Sequence, residues 1–176
     1  VSEQISLASK EASGTSNMKL MLNGAITIAT LDGANVEIRD AVGDENIYIF
    51  GLTEAEVYAY YENRNYSSRE VYETNPIVHR VLNAFVDGSI PNIEREGQEI
   101  VDSLLLYNDE YFLLRDFDAY CKAQARLNQD YQDATHWQKC SLINIANAGT
   151  FSADKTVKQY AEDIWQIEPL FAHKGR

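Results

Sequence analysis

The sequence predicts an α/β fold in which a short parallel βαβ unit, residues 1–52, is followed by a mostly helical region, residues 53–176. Two observations carry this reading. Residues 25–31 (AITIATL) and 46–50 (NIYIF) are short β-branched or aromatic runs with a helix-compatible segment between them. Beyond Thr53, apolar residues recur at helical spacing behind a succession of N-cap residues.

Residues 25–31 read as a buried strand. Asp32-Gly33 then turns the chain, and Ala34 to Val42 forms a helix closed by Gly43. Residues 46–50 give the second strand. Strand, helix, strand in so short a span requires parallel pairing with a right-handed crossover. Two parallel strands do not stand alone, because such sheets are covered on both faces and flanked by further strands. The sheet is therefore expected to extend beyond this chain, which also lacks an initiator methionine and a signal-peptide pattern. In the helical region Thr53 with Glu56, and Ser67 with Glu70, match the capping box. Pro76 opens a helix carrying Ile77, Val78, Val81, Leu82, Phe85 and Val86, with Gly88 as its stop. Ile100, Leu104 and Leu105 mark another helix, and residues 117–131 a further one. Asp133 caps a helix reaching Asn147, and Ser152 caps a last one through Tyr160, Ile164 and Trp165. Tyr58, Tyr60 and Tyr61 lead into a polar surface loop, residues 62–69.

Composition narrows the function. The 176-residue chain has a formal net charge of −12, which repels phosphate backbones and anionic lipid, so nucleic acid and membrane are excluded as partners. No apolar run approaches the roughly 20 residues of a membrane span. Cys121 and Cys140 match no zinc or disulfide pattern and read as small core residues. His79, His136 and His173 are scattered and give no metal signal. The expected compartment is the cytoplasm.

Chemistry concentrates in residues 10–24, KEASGTSNMKLMLNG. Ser13, Gly14, Thr15, Ser16 and Asn17 form a small, hydroxyl-rich run entering a helix. Such a run exposes backbone N–H groups where the helix dipole favours an anion, phosphate above all; it also fits an ordinary N-cap by Thr15 or Ser16. Lys19 lies in the first turn of that helix among Met18, Leu20, Met21 and Leu22. A cation is disfavoured there, whereas a desolvated neutral amine is a competent nucleophile towards an aldehyde. A lysine reaching out to solvent is the other reading. The run is not a P-loop, since Gly14 and Lys19 lack the second glycine and Leu20 stands where a hydroxyl belongs. Glu11, just before the loop, suits a neutral polyhydroxy ligand as a charged acceptor.

From Glu11 through Lys19 (EASGTSNMK) the sequence closely resembles the pyridoxal-phosphate signature of the α-glucan (glycogen, starch and maltodextrin) phosphorylases. The likeness continues through residues 22–37, through residues 48–51 (YIFG), and through NIA at 144–146, Phe151-Ser152 and residues 164–169 (IWQIEP). The resemblance implies the C-terminal part of a Rossmann-like domain of GT-B type, 1–52 being the βαβ part with the cofactor lysine and 53–176 the helical part. It implies pyridoxal 5′-phosphate held on Lys19 through a Schiff base, with its 5′-phosphate as proton partner to the substrate phosphate. The reaction implied is phosphorolysis of the terminal α-1,4 bond of a glucan by inorganic phosphate, giving glucose 1-phosphate with retention. Residues matching Glu11, Ser13 and Gly14 hold sugar hydroxyls, and Thr15 and Ser16 face the cofactor phosphate. Ser16 replaces a more usual glycine. The full-length enzyme is implied to be a homodimer whose basic phosphate-gripping residues lie upstream of Val1. The piece alone is expected to be inactive. A competing class is a non-catalytic phosphate-binding or helical interaction module.

Overall fold

The computed structural model describes residues 1–168. Pro169 and His173, named above, lie outside them. Three short parallel strands form the centre: β1 (Ser2–Gln4), β2 (Thr27–Ala29) and β3 (Tyr48–Ile49), in the order β1-β2-β3. Ser2 to Gln4 pair with Thr27 to Ala29, and Ile28 and Ala29 pair with Tyr48 and Ile49. The two expected strands are present but shorter than their apolar runs. β1 is an addition, and its residues Ser-Glu-Gln carry no strand propensity. Pairing holds it instead: the Ser2 N–H donates to the Ile26 carbonyl at 2.9 Å. Glu3, on the next side of the pleat, accepts from Tyr120 Oη at 2.9 Å and Gln124 Nε2 at 2.6 Å.

Helix α1 (Ser16–Leu22) connects β1 to β2, and α2 (Ala34–Val42) connects β2 to β3. Both pack on one face of the sheet, where Met21, Ile38, Val42, Ile47 and Ala148 form a buried cluster. Then follow α3 (Glu54–Asn63), α4 (Ser68–Thr74), α5 (Pro76–Ala84), α6 (Glu94–Val101), α7 (Leu113–Asp130), α8 (Ala134–Asn147) and α9 (Ala153–Gln159). Wide turns extend α6 over Asp102–Leu106 and α9 over Tyr160–Trp165. Helix α7 covers the opposite face of β2 and β3: Ala123 and Leu127 meet Ile26, Ile28, Tyr48 and Phe50, with Cys140 of α8. A third cluster joins the chain after β1 (Leu7, Ala8) to Leu52, Val57 and Phe112.

Thr53 and Glu56 form the reciprocal capping box. The expected box at Ser67 is only half made, its hydroxyl accepting from the Glu70 N–H at 3.2 Å. Asn75, not foreseen as a cap, accepts from the Ile77 and Val78 N–H groups ahead of Pro76. Asp133 and Ser152 cap α8 and α9 as expected. Helix α7 begins four residues before the expected 117, because the buried Asp109 carboxylate accepts from the Leu114 N–H at 2.7 Å. The reading of both cysteines as core residues is corrected: Cys140 is buried, whereas Cys121 is exposed on the outer face of α7.

Candidate functional site

The chemistry-bearing loop lies at the carboxyl ends of β1 and β2, the edge at which open parallel sheets bind ligands. Its organiser is Asp32, which follows β2 and is buried. One carboxylate oxygen, Oδ1, accepts from the Ser9 N–H at 2.9 Å. The other, Oδ2, accepts from the Ser6 hydroxyl at 3.0 Å, the Lys10 N–H at 3.3 Å and the Glu11 N–H at 2.7 Å. One side chain thereby fixes the path of residues 6–11. Gly33 fixes the next stretch by close approach. The Ala34 N–H donates to the Ser13 carbonyl at 2.6 Å. A Cβ on Gly33, whose φ is +52°, would stand 2.5 Å from that carbonyl oxygen and 3.1 Å from Glu11 Cγ. Gly14 turns the chain with φ +89° into α1.

A buried amide pair locks α1 to α2. Asn17 Nδ2 donates to Asn35 Oδ1 at 2.9 Å, and Asn35 Nδ2 donates to the Thr30 carbonyl at 3.1 Å. The Ser16 hydroxyl donates to Gln4 Oε1 at 3.0 Å, which ties the start of α1 to the end of β1. Asn17 Oδ1 takes the Met18 N–H at 2.9 Å. The Ser16 and Asn17 N–H groups have no intrahelical carbonyl to reach, as in any first helical turn. Thr15 makes no side-chain cap to α1. Its hydroxyl and those N–H groups remain available as donors. Ser16 is helical and absent from the residues with positive φ, so its N–H is presented without the freedom of a glycine.

The six expected site residues fall on this one segment. Glu11 and Ser13 are exposed and adjacent, the Ser13 N–H donating to Glu11 Oε1 at 3.3 Å. Gly14, Thr15 and Ser16 follow directly. Lys19 stands one turn into α1, its N–H donating to the Thr15 carbonyl at 3.2 Å. Its side chain is exposed, with no hydrogen bond or ion pair among the described residues. The described residues leave the amine open, to solvent and to a ligand alike. Leu20 and Leu22 are exposed beside it, and Met21 alone of the apolar residues in α1 is fully buried. A free primary amine one turn from a run of unpaired donors suits an aldehyde-bearing phosphate ester, so these residues fit the expected cofactor.

Sequence reasoning passed over Asp32, Asn17, Asn35 and Gln4. The available signal was positional. Asp32 follows a wholly apolar or hydroxyl-bearing run, residues 25–31, and the two asparagines occupy inward-facing helix positions where apolar residues would be the default.

A second concavity of about 1040 Å³ opens beside Lys10 and Glu11, between the chain after β1 and the α6–α7 region. Asp116 of α7 lines it and accepts from the Leu52 N–H at 2.9 Å. Burial pushes its carboxyl up to about 6. Among the described residues, no group of three or more His, Cys, Asp or Glu could hold a metal ion, and no helix is long and apolar enough to cross a membrane.

Comparison with known proteins bears on residues 1–167, which match the family model described as carbohydrate phosphorylase. The chain is 51% identical over 170 residues to a glycogen phosphorylase of Bacillus subtilis (strain 168), covering 97% of this chain and 21% of that protein. It is 41% identical to the liver form of glycogen phosphorylase from Homo sapiens, covering 96% of this chain and 20% of that protein. Against a glycogen phosphorylase of Synechocystis sp. the identity is 43%, with 97% and 20% covered. The chain thus spans about a fifth of the length of these curated relatives.

Proposed function

Because the chain belongs to the carbohydrate phosphorylase family, we propose that it is the cofactor-bearing C-terminal part of an enzyme that cleaves glycogen or maltodextrin with inorganic phosphate. The products are glucose 1-phosphate and a glucan shortened by one residue. The observation that carries this reading is the exposed, unpaired amine of Lys19 beside a donor-rich loop that Asp32 and Gly33 hold in one shape.

In this reading Lys19 holds pyridoxal 5′-phosphate covalently, and the Thr15 hydroxyl and Ser16 N–H meet its phosphate group. When bound, the cofactor supplies that 5′-phosphate as proton partner to the substrate phosphate. The contacts to the sugar fall to this chain. The Glu11 carboxylate accepts hydrogen bonds from sugar hydroxyls, and the Ser13 and Gly14 N–H groups donate to others. Each of these groups is aimed before substrate arrives, because the backbone between residues 6 and 14 is fixed by Asp32 and by the close approach of Gly33. Such prior orientation is a large part of what an enzyme contributes.

Two phosphate groups brought together need cations, and within residues 6–24 this chain supplies only Lys10 and Lys19. The other basic residues come from the rest of the enzyme, so the 176-residue chain alone has no phosphorolytic activity. We assign the full-length enzyme to the cytoplasm, in keeping with two unpaired thiols, and to a homodimer, on the family resemblance.

Two variants of the full-length enzyme test the assignment together. Lys19→Ala loses bound cofactor and nearly all turnover. Glu11→Gln keeps the cofactor and loses about ten- to a hundredfold in catalytic efficiency, the worth of a charged hydrogen bond. A Lys19→Ala enzyme with normal cofactor absorbance and turnover overturns the reading in favour of a non-catalytic module.

A further inference from the structure

Helix α1 is too short to hold a direction of its own. Its seven residues fall below the roughly 12–15 at which an isolated helix becomes even marginal, and no side chain caps its start. Contacts with the rest of the fold must therefore orient it. Asn17 and Met21, four residues apart and so on one side of the helix, point inward and are 2% and 0% exposed. Lys19, two residues from each, lies about 200° round the axis from Asn17 and faces outward. Any rotation of α1 about its axis swings the Lys19 amine sideways.

Met21 packs in an apolar cluster, which attracts without regard to direction. At the far end the Ser141 hydroxyl of α8 donates to the Gly24 carbonyl at 2.8 Å, and Asn23 Nδ2 donates to the Lys19 carbonyl at 2.8 Å. These contacts fix where α1 ends, not how it is turned. The Ser16 to Gln4 contact is exposed, where water competes for both groups. The directional, buried restraint is the amide pair. Asn17 Oδ1 accepts from the Met18 N–H, and Asn17 Nδ2 donates to Asn35 Oδ1, at 2.9 Å each. Asn35, 3% exposed, spends its own Nδ2 hydrogens on the Thr30 carbonyl at 3.1 Å and the Gln4 carbonyl at 3.4 Å. One amide thereby joins the carboxyl ends of β1 and β2 to the inner side of α1, and a fully satisfied buried network of this kind specifies a single arrangement.

From this we infer that Asn35 is a positioning residue for the reaction: through Asn17 it sets the rotation of α1 and so the place of the Lys19 amine. This rests on the reading of Lys19 as the cofactor lysine. Side-chain tips lie about 5–6 Å from a helix axis, so a turn of about 10° moves the amine by about 1 Å. A misplacement of that size costs about a hundredfold in rate. Glu11, Ser13 and Gly14, the groups proposed to meet the sugar, are held by a different device, Asp32 and Gly33. The effect of Asn35 therefore falls on the hold of the cofactor and on kcat, and leaves the KM for the glucan unchanged.

The test uses the full-length enzyme carrying Asn35→Ala, with Asn17→Ala as a second variant in case the first does not fold. Hydroxylamine, which captures the cofactor aldehyde, is added, and the loss of cofactor absorbance is timed. Release is expected to quicken about tenfold or more in either variant. Per bound cofactor, kcat is expected to fall about ten- to a hundredfold while the KM for the glucan stays within about twofold. A third measurement needs no variant: because coupling between sites is reciprocal, removing the cofactor from the parent enzyme should speed hydrogen exchange in α2 as well as in α1. Release at the parent rate, a raised KM with kcat unchanged, a lowered melting temperature alone, or unchanged exchange in α2 overturns the inference. If the parent enzyme holds the cofactor and the variants behave as it does, only the role of Asn35 fails; a parent enzyme without cofactor absorbance fails the phosphorylase reading itself.

Discussion

Replacing Asp32 tests whether Glu11, Ser13 and Gly14, the groups proposed to meet the sugar, are aimed by the carboxylate behind them. Its two oxygens take three backbone N–H groups and one hydroxyl, from Ser9, Lys10, Glu11 and Ser6, at 2.7 to 3.3 Å. Hydrogen bonds to a charged group contribute about 1.5–3 kcal/mol each. Four would nominally exceed 6 kcal/mol, but the donors are partly exposed and water replaces some of the loss. Asp32→Ala should therefore destabilise the protein by about 3 kcal/mol. Asp32→Asn keeps the volume, yet in either orientation its NH2 group faces at least one N–H donor. A loss of about 2 kcal/mol is expected there, felt as freedom of residues 6–14. In the full-length enzyme Asp32→Asn should retain cofactor absorbance, since Lys19 and α1 are untouched, and should lose ten- to a hundredfold in catalytic efficiency for the glucan. Hydrogen exchange at residues 9–11 should accelerate by a similar factor. Unchanged exchange and unchanged efficiency would refute the argument that this carboxylate holds the loop.

Two further substitutions follow from the same geometry. Gly33→Ala combines a φ of +52° with a Cβ 2.5 Å from the Ser13 carbonyl; it should destabilise by more than about 1 kcal/mol and raise KM for the glucan, and a wild-type KM and denaturation midpoint would contradict the close approach. The raised Asp116 carboxyl binds a proton more tightly in the folded state than in the unfolded one, so its contribution to stability is present below about pH 4 and is lost as pH rises through about 6. Asp116→Asn, which can still accept from the Leu52 N–H, should flatten the pH dependence of the melting temperature between pH 4 and 7, and a parallel curve would show that Asp116 titrates at its ordinary value.

How much the sequence disclosed follows from how local each cause is. Helix α2 was legible to the residue, because Asp32-Gly33 starts it and Gly43 ends it. Thr53 and Asp133 capped as read, since a cap is settled within four residues. Strand β1 was not legible: Ser2 and Gln4 are polar and gain their strand geometry only by pairing with residues 25 positions away. The start of α7 was misplaced for a similar reason, its cap being Asp109 across a turn where Asn108, Asp109 and Phe112 all have positive φ. Lys19 and its loop stood out through an unusual local composition. Their supports, Asp32 and the Asn17–Asn35 pair, looked like ordinary turn and helix residues, because the partners of Asp32 lie 21 to 26 positions away and the two asparagines are 18 apart.

Reductive trapping tests whether Lys19 carries the cofactor. The full-length enzyme is treated with borohydride, digested and mapped by mass spectrometry. A pyridoxyl phosphate adduct is expected on the peptide containing Lys19, with none on Lys10 and none in a Lys19→Ala enzyme. An adduct on a different lysine, or an active enzyme with no adduct at all, would contradict it.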